Sequence, residues 1–153
     1  MPESGPVGVG VIGAGMISNT YLEHLTSFPD LRVLVVGDLD QARAGAQAEK
    51  YQVPTSGDSD AVLSHPDVEL VVNLTIPAVH AQVSSQAIAA GKHVWSEKPI
   101  SVDRESGRAL LDQADKAGVL LGVAPDTVLG PGIQSVRQAI AAATSASHCP
   151  HRP

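Results

Sequence analysis

Cysteine is almost missing from this chain: Cys149 is the only one. That excludes an internal disulfide framework and makes a reducing cytoplasm the expected compartment. Aromatic residues are scarce too, at 3%. The core must therefore be built from Ala, Val, Leu and Ile, which suits a buried parallel sheet covered by helices. Basic residues are outnumbered, 10 Lys and Arg against 16 Asp and Glu, for a net charge of −6. With no basic cluster, no nucleic-acid partner is expected. No apolar run reaches the roughly 18 residues that span a bilayer, so no membrane partner is expected either. Met1 to Pro6 lack the basic and apolar regions of a signal peptide. His24, His65 and His93 show no metal-ligand spacing, and no metal site is expected.

What is present is a 153-residue chain, 43% hydrophobic and 17% charged. That length carries one domain with a real core, but not comfortably two. Short apolar runs alternate with helical patterns. Strands are expected at Val7 to Ile12, Leu31 to Val36, Val68 to Thr75, His93 to Ser96 and Val119 to Val123. Helices are expected at Met16 to Ser27, Gln41 to Tyr51 with Asp40 as N-cap, Ser59 to Ser64, Ala78 to Ala90, Asp103 to Ala117 and Ile133 to Ala143. Alternation with short connections argues for parallel strands and right-handed crossovers. The expected fold class is α/β, a doubly wound, mostly parallel sheet.

Gly13-Ala14-Gly15-Met16-Ile17-Ser18 follows the first strand and opens the first helix. That context gives a glycine-rich turn meaning. Gly13 permits the tight turn, and Gly15 lets the backbone approach a pyrophosphate. The helix N-terminus offers free N–H groups and a positive dipole end to that anion. The third glycine position holds Ser18, small enough for close helix–strand packing. Asp38 ends the second strand, 20 positions beyond Ser18. A carboxylate there accepts hydrogen bonds from adenosine ribose hydroxyls and repels a 2′-phosphate. The pattern is that of a Rossmann unit, with NAD expected and NADP less so; Arg43 nearby softens the preference. The plainer alternative is that Asp38 only caps a loop or the next helix.

Gly91-Lys92-His93-Val94-Trp95-Ser96-Glu97-Lys98-Pro99 is the second informative stretch. Lys98 follows a short strand whose carboxyl end should share an edge with the glycine turn, where ligands of open α/β sheets bind. Its ammonium is placed to polarise a substrate oxygen, with Glu97 orienting it. Pro99 fixes the backbone, and an unusual peptide geometry is expected there. From the residues alone, a solvated surface lysine is the favoured reading. Thr75-Ile76-Pro77-Ala78-Val79-His80 ends the preceding strand and should line the nicotinamide ribose. His80 either faces the cleft or packs on its helix. Trp95 reads as a core or interface residue.

These segments together resemble the N-terminal half of the Gfo/Idh/MocA oxidoreductases. The resemblance covers about Val7 to Ala141 and rests on Gly13-Ala14-Gly15, Asp38, Thr75-Ile76-Pro77 with His80, and above all Gly91-Lys92-His93-Val94 running into Glu97-Lys98-Pro99. It implies hydride transfer between NAD(P) and a hydroxyl or carbonyl carbon of a small polyol or sugar. It implies Lys98 as the catalytic lysine. It implies Gly13, Gly15, Met16, Ile17 and Asp38 as cofactor contacts, with Thr75, Pro77, His80 and Glu97 on the nicotinamide side. Ala78 departs from the family, where a polar Asn is common.

The resemblance also implies a second, C-terminal α/β substrate domain that this chain lacks. The expected organisation is a dinucleotide-binding domain over 1–124, a crossing segment and helix over 125–143, and an irregular tail over 144–153. The codons of residues 143–148, shifted by one base, are compatible with Gly-Asp-Ile-Gly-Ile-Pro, so a frameshift is the expected origin of the tail. Sequencing the locus decides it: an out-of-frame second domain should lie downstream. A cofactor-binding fragment with little turnover is then the expected function. The alternatives are a non-catalytic nucleotide-binding module or partner subunit, and an unstable remnant. An apolar face on the 133–143 helix, left without its partner domain, is expected to drive self-association.

Overall fold

The computed structural model describes residues 5–124 and 127–146, with side chains to residue 143. The chain divides into two units, Met1–Val123 and Ala124–Pro153. In the first, strands and helices alternate: β1 Val7–Ile12, α1 Ser18–Leu25, β2 Leu31–Gly37, α2 Gln41–Lys50, β3 Thr55–Gly57, α3 Ser59–Leu63 and β4 Leu70–Asn73. A 3-10 turn, Pro77–Val79, leads into α4 His80–Ala89, followed by β5 His93–Ser96, α5 Arg104–Ala117 and β6 Leu121–Val123. In the second unit a 3-10 turn at Thr127–Leu129 precedes α6 Pro131–Ala146.

The six strands form one sheet in the order β3-β2-β1-β4-β5-β6. Every pairing is parallel. The chain winds outward from β1 to β3, then returns to the other side of β1 for β4 to β6. This is the doubly wound order of a Rossmann fold, and the crevice between β1 and β4 is its switch point.

The sheet is buried on both faces, so its strands read as apolar runs rather than alternations. One cluster gathers Val35, Val62, Val71, Val83, Ile88, Val94 and Leu110, from strands and from α3, α4 and α5. The other gathers Val9, Val11, Leu22, Val36, Ala44 and Val72, against α1 and α2. A register shift opposite Val9 and Gly10 pairs them with Val33 and Val35, leaving Leu34 as the extra residue. Val33 and Val36 pack in one cluster, Leu34 and Val35 in the other.

The starts of α2 and α5 follow the cap chemistry. Asp40 accepts from Arg43 N–H at 3.2 Å, as expected. Asp103 accepts from the Ser106 N–H at 2.8 Å and the Ser106 hydroxyl at 2.7 Å, which hold its carboxyl below its usual pKa.

Three expectations need correction. α1 begins at Ser18, because Met16 and Ile17 belong to the turn, where Ser18 N–H reaches back to the Gly15 carbonyl. β3, Thr55-Ser56-Gly57, was not expected as a strand; it is three residues long, has no apolar side chain and pairs only with β2. α6 runs from Pro131 to Ala146, longer than the expected 133–143 helix. The rest of the expected tail, residues 147–153 with Cys149, lies outside the described residues, as does the frameshift reading placed on it. Among the described residues, no helix is long and apolar enough to cross a membrane.

Candidate functional site

The carboxyl ends of β1, β2, β4 and β5 share one edge of the sheet. Each delivers part of the expected site.

The glycine turn leaves β1 at Gly13. Its φ of +106° is a conformation L side chains rarely adopt, and a Cβ there would lie 2.6 Å from the Leu74 carbonyl carbon and oxygen. Gly13 is thus required by the close approach of β1's end to β4's. Gly15 meets a different demand. A Cβ built on it has nothing within 4 Å, so the backbone there faces open space. The N–H groups of Gly15, Met16 and Ile17 have no partner among the described residues. Ile17 caps α1 without a side-chain hydrogen bond. Three unpaired donors at a helix start are an arrangement that can receive an anion. Ser18 is fully buried, and its hydroxyl donates to the Gly15 carbonyl at 2.7 Å.

Asp38 follows β2 and reaches into this turn. Its Oδ2 accepts from Ala14 N–H at 2.7 Å, and its Oδ1 accepts from Asp40 N–H at 2.9 Å. Arg43 adds a 3.2 Å ion pair to Oδ1 and lies 3.7 Å from Asp40. Asp38 therefore braces the glycine turn as well as its own loop. An ionised carboxylate offers about four lone-pair sites, so capacity remains for a further donor.

β4 ends at Asn73, a fully buried residue that sequence reasoning missed. Its Oδ1 accepts from the Thr75 hydroxyl at 2.6 Å and Thr75 N–H at 3.2 Å. Its Nδ2 donates to the His80 carbonyl and the Ser84 hydroxyl, both at 3.0 Å. Thr75 is half-buried, while Ile76 and Pro77 are exposed. His80 is buried, with its ring between two carbonyls: Nδ1 is 2.7 Å from the Pro99 oxygen and Nε2 2.8 Å from the Thr75 oxygen. A neutral imidazole donates from one nitrogen only, an imidazolium from both. Both nitrogens face protein carbonyls, so His80 joins the loop after β4 to the loop after β5.

β5 delivers Glu97 and Lys98. The Lys98–Pro99 peptide is cis, the unusual geometry expected there. Lys98 is exposed, and no ion pair to it occurs among the described residues. Glu97 was expected to orient the ammonium. Its Oε2 instead accepts from the Lys98 backbone N–H at 3.1 Å, and its Oε1 from the Tyr21 hydroxyl at 2.8 Å.

The comparisons with known proteins bear on this edge. The family model described as "Oxidoreductase family, NAD-binding Rossmann fold" (GFO_IDH_MocA) matches residues 7–124. The chain belongs to the Gfo/Idh/MocA oxidoreductase family. Inositol 2-dehydrogenase of Klebsiella pneumoniae (strain 342) is 33% identical over 113 residues, covering 72% of this chain and 34% of that protein. GenD2 from gentamicin A biosynthesis, solved in complex with NAD, superposes with a TM-score of 0.79 at 30% identity, over 84% of this chain and 37% of that one. KijD10, a 3-ketoreductase from Actinomadura kijaniata solved with TDP-benzene and NADP, gives 0.83 at 28% identity, over 89% and 43%. This chain thus spans about two fifths or less of their length. The matched region is the NAD-binding Rossmann domain of that family.

In this Gfo/Idh/MocA chain, apolar side chains stand exposed at three of the strand ends. Met16 is 92% exposed, Leu39 96% and Ile76 66%. Leu39 directly follows Asp38 and was missed. An isolated exposed leucine carries no signal in a sequence; only its place at the shared edge makes it notable.

Proposed function

We propose that this chain binds a nicotinamide dinucleotide across the β1/β4 switch point, with NAD preferred over NADP. The observation that carries the proposal is the set of unpaired N–H groups at Gly15, Met16 and Ile17 beside the open space at Gly15. These donors suit a pyrophosphate, and the exposed faces of Met16, Leu39 and Ile76 suit flat rings. Asp38 receives a ribose hydroxyl on its remaining lone pairs. Preference for NAD rests on the two carboxylates, Asp38 and Asp40, that a 2′-phosphate would meet; Arg43 is already shared between them.

When bound, the cofactor supplies or accepts a hydride, and Lys98 polarises the oxygen of a small polyol or sugar. Thr75, Pro77 and Glu97 line the nicotinamide side, and His80 holds the loops that carry them. A hydride transfer also needs a proton acceptor within hydrogen-bond reach of the substrate. Among the described residues the His80 ring is engaged by carbonyls, and the Glu97 carboxylate already accepts from the Tyr21 hydroxyl and the Lys98 N–H. The 153-residue chain is therefore proposed to bind cofactor with little turnover, in the reducing cytoplasm suggested by its single cysteine.

Ligand that binds only the folded state raises the melting temperature. NAD is expected to stabilise the purified chain, with an affinity at least about tenfold above that for NADP, the equivalent of about 1.4 kcal/mol. NAD reduction with inositol or a panel of aldoses is expected to stay at background. An unchanged melting temperature with both dinucleotides overturns the binding reading; robust turnover overturns the low-activity reading.

Self-association through α6 is proposed on separate grounds. Ile133, Val136 and Ile140 fall at i, i+3 and i+7, and Ile133 and Val136 are more than half exposed. Size-exclusion chromatography is expected to show elution that depends on concentration. Monomeric elution at every concentration removes the proposal.

A further inference from the structure

Beside Lys98, three side chains form a chain of hydrogen bonds with a fixed direction. The Trp95 indole N–H donates to the Tyr21 hydroxyl oxygen at 3.3 Å. The Tyr21 O–H donates to Glu97 Oε1 at 2.8 Å. The Lys98 N–H donates to Glu97 Oε2 at 3.1 Å, and the Glu97 N–H donates to the Asn73 carbonyl at 2.9 Å. An indole nitrogen only donates and an ionised carboxylate only accepts, so the phenol must take from the first and give to the second.

Tyr21 lies on α1, the helix opened by the glycine turn, 76 positions from Glu97. Its hydroxyl thus links the element expected to hold the pyrophosphate to the segment that presents Lys98. Packing alone does not call for this oxygen, since a phenylalanine ring fills the same space. A hydrogen bond to a charged acceptor is also stronger than a neutral one. We infer that Tyr21 is a positioning residue: its hydroxyl, itself oriented by Trp95, fixes the Glu97 carboxylate and through it the Lys98 backbone where the nicotinamide end of the cofactor docks. The inference rests on the dinucleotide reading above and adds to it a residue that touches no cofactor.

The test compares the wild-type 153-residue chain with Tyr21→Phe, titrated with NADH and separately with ADP-ribose, which has no nicotinamide. Tyr21→Phe is expected to weaken NADH binding about fivefold while ADP-ribose stays within about twofold of wild type. A residue that only props up the fold would weaken both alike. Trp95→Phe removes the indole donor and keeps the phenol, and is expected to weaken NADH binding about twofold with ADP-ribose binding unchanged. It also serves if Tyr21→Phe does not fold. Equal losses for the two ligands, or none, overturn the inference. A wild-type chain that binds neither ligand overturns the dinucleotide reading and the inference with it. A wild-type chain that binds both, with variants that do not discriminate, overturns the inference alone.

Discussion

Gly13→Ala is expected to lower stability by at least about 3 kcal/mol and to abolish NAD binding. Two effects combine. An alanine at φ +106° is strained wherever it occurs, and the new Cβ would lie 2.6 Å from the Leu74 carbonyl. The atoms it meets are backbone at the end of β4, so no flexible side chain can swing away. Relief requires β1 and β4 to part at the switch point, which carries the turn and the loop after β4 with it. Gly15→Ala separates stability from binding. Its Cβ enters open space and its backbone has no positive φ, so stability should stay within about 0.5 kcal/mol of wild type. NAD affinity should still fall, because the methyl group projects into the cradle. Denaturant unfolding gives the stabilities, and thermal shift with and without NAD gives the binding. Equal destabilisation by the two substitutions would sink this account of the turn.

His80→Ala is expected to cost about 3 kcal/mol. The ring is 1% exposed and, among the described residues, is the partner of the carbonyl oxygens of Thr75 and Pro99. Its removal leaves a cavity and takes away the ring that bridges the two loops. The loss should appear as a lower urea midpoint with an unchanged slope. NADH binding should weaken more than ADP-ribose binding, because both loops serve the nicotinamide side of the proposed site. His80→Gln keeps an amide donor and should recover part of the stability. A cost below about 1 kcal/mol for His80→Ala would mean that the ring is dispensable to both loops.

Much of this architecture is legible along the chain. Val7 to Ile12 ends on a glycine, Gln41 to Lys50 starts behind an Asp cap, and His93 to Ser96 sits between a turn and a proline. These signals are local: a run of small aliphatic residues, a cap, a helix stop. β3 carries no such signal, because its pairing to the end of β2 supplies the structure that its own residues do not. The dinucleotide turn was equally legible, since glycines and helix start fall within a few residues. Asp38 was placed by its distance from that turn, yet its bond to Ala14 N–H was not foreseeable from spacing.

The sequence by itself determined the α/β alternation, the turn at Gly13 to Ser18, the acidic end of β2 and the family to which the chain belongs. Each depends on residue type at short range, where backbone sterics and hydrogen-bond chemistry leave few choices. Only the tertiary structure decided which way side chains aim. It turned the His80 ring inward onto two carbonyls, set the Glu97 carboxylate against the Lys98 backbone rather than its ammonium, and brought Tyr21 to Glu97 across the sheet edge. Those outcomes depend on strands and helices distant in the chain packing side by side, and no local pattern encodes that contact.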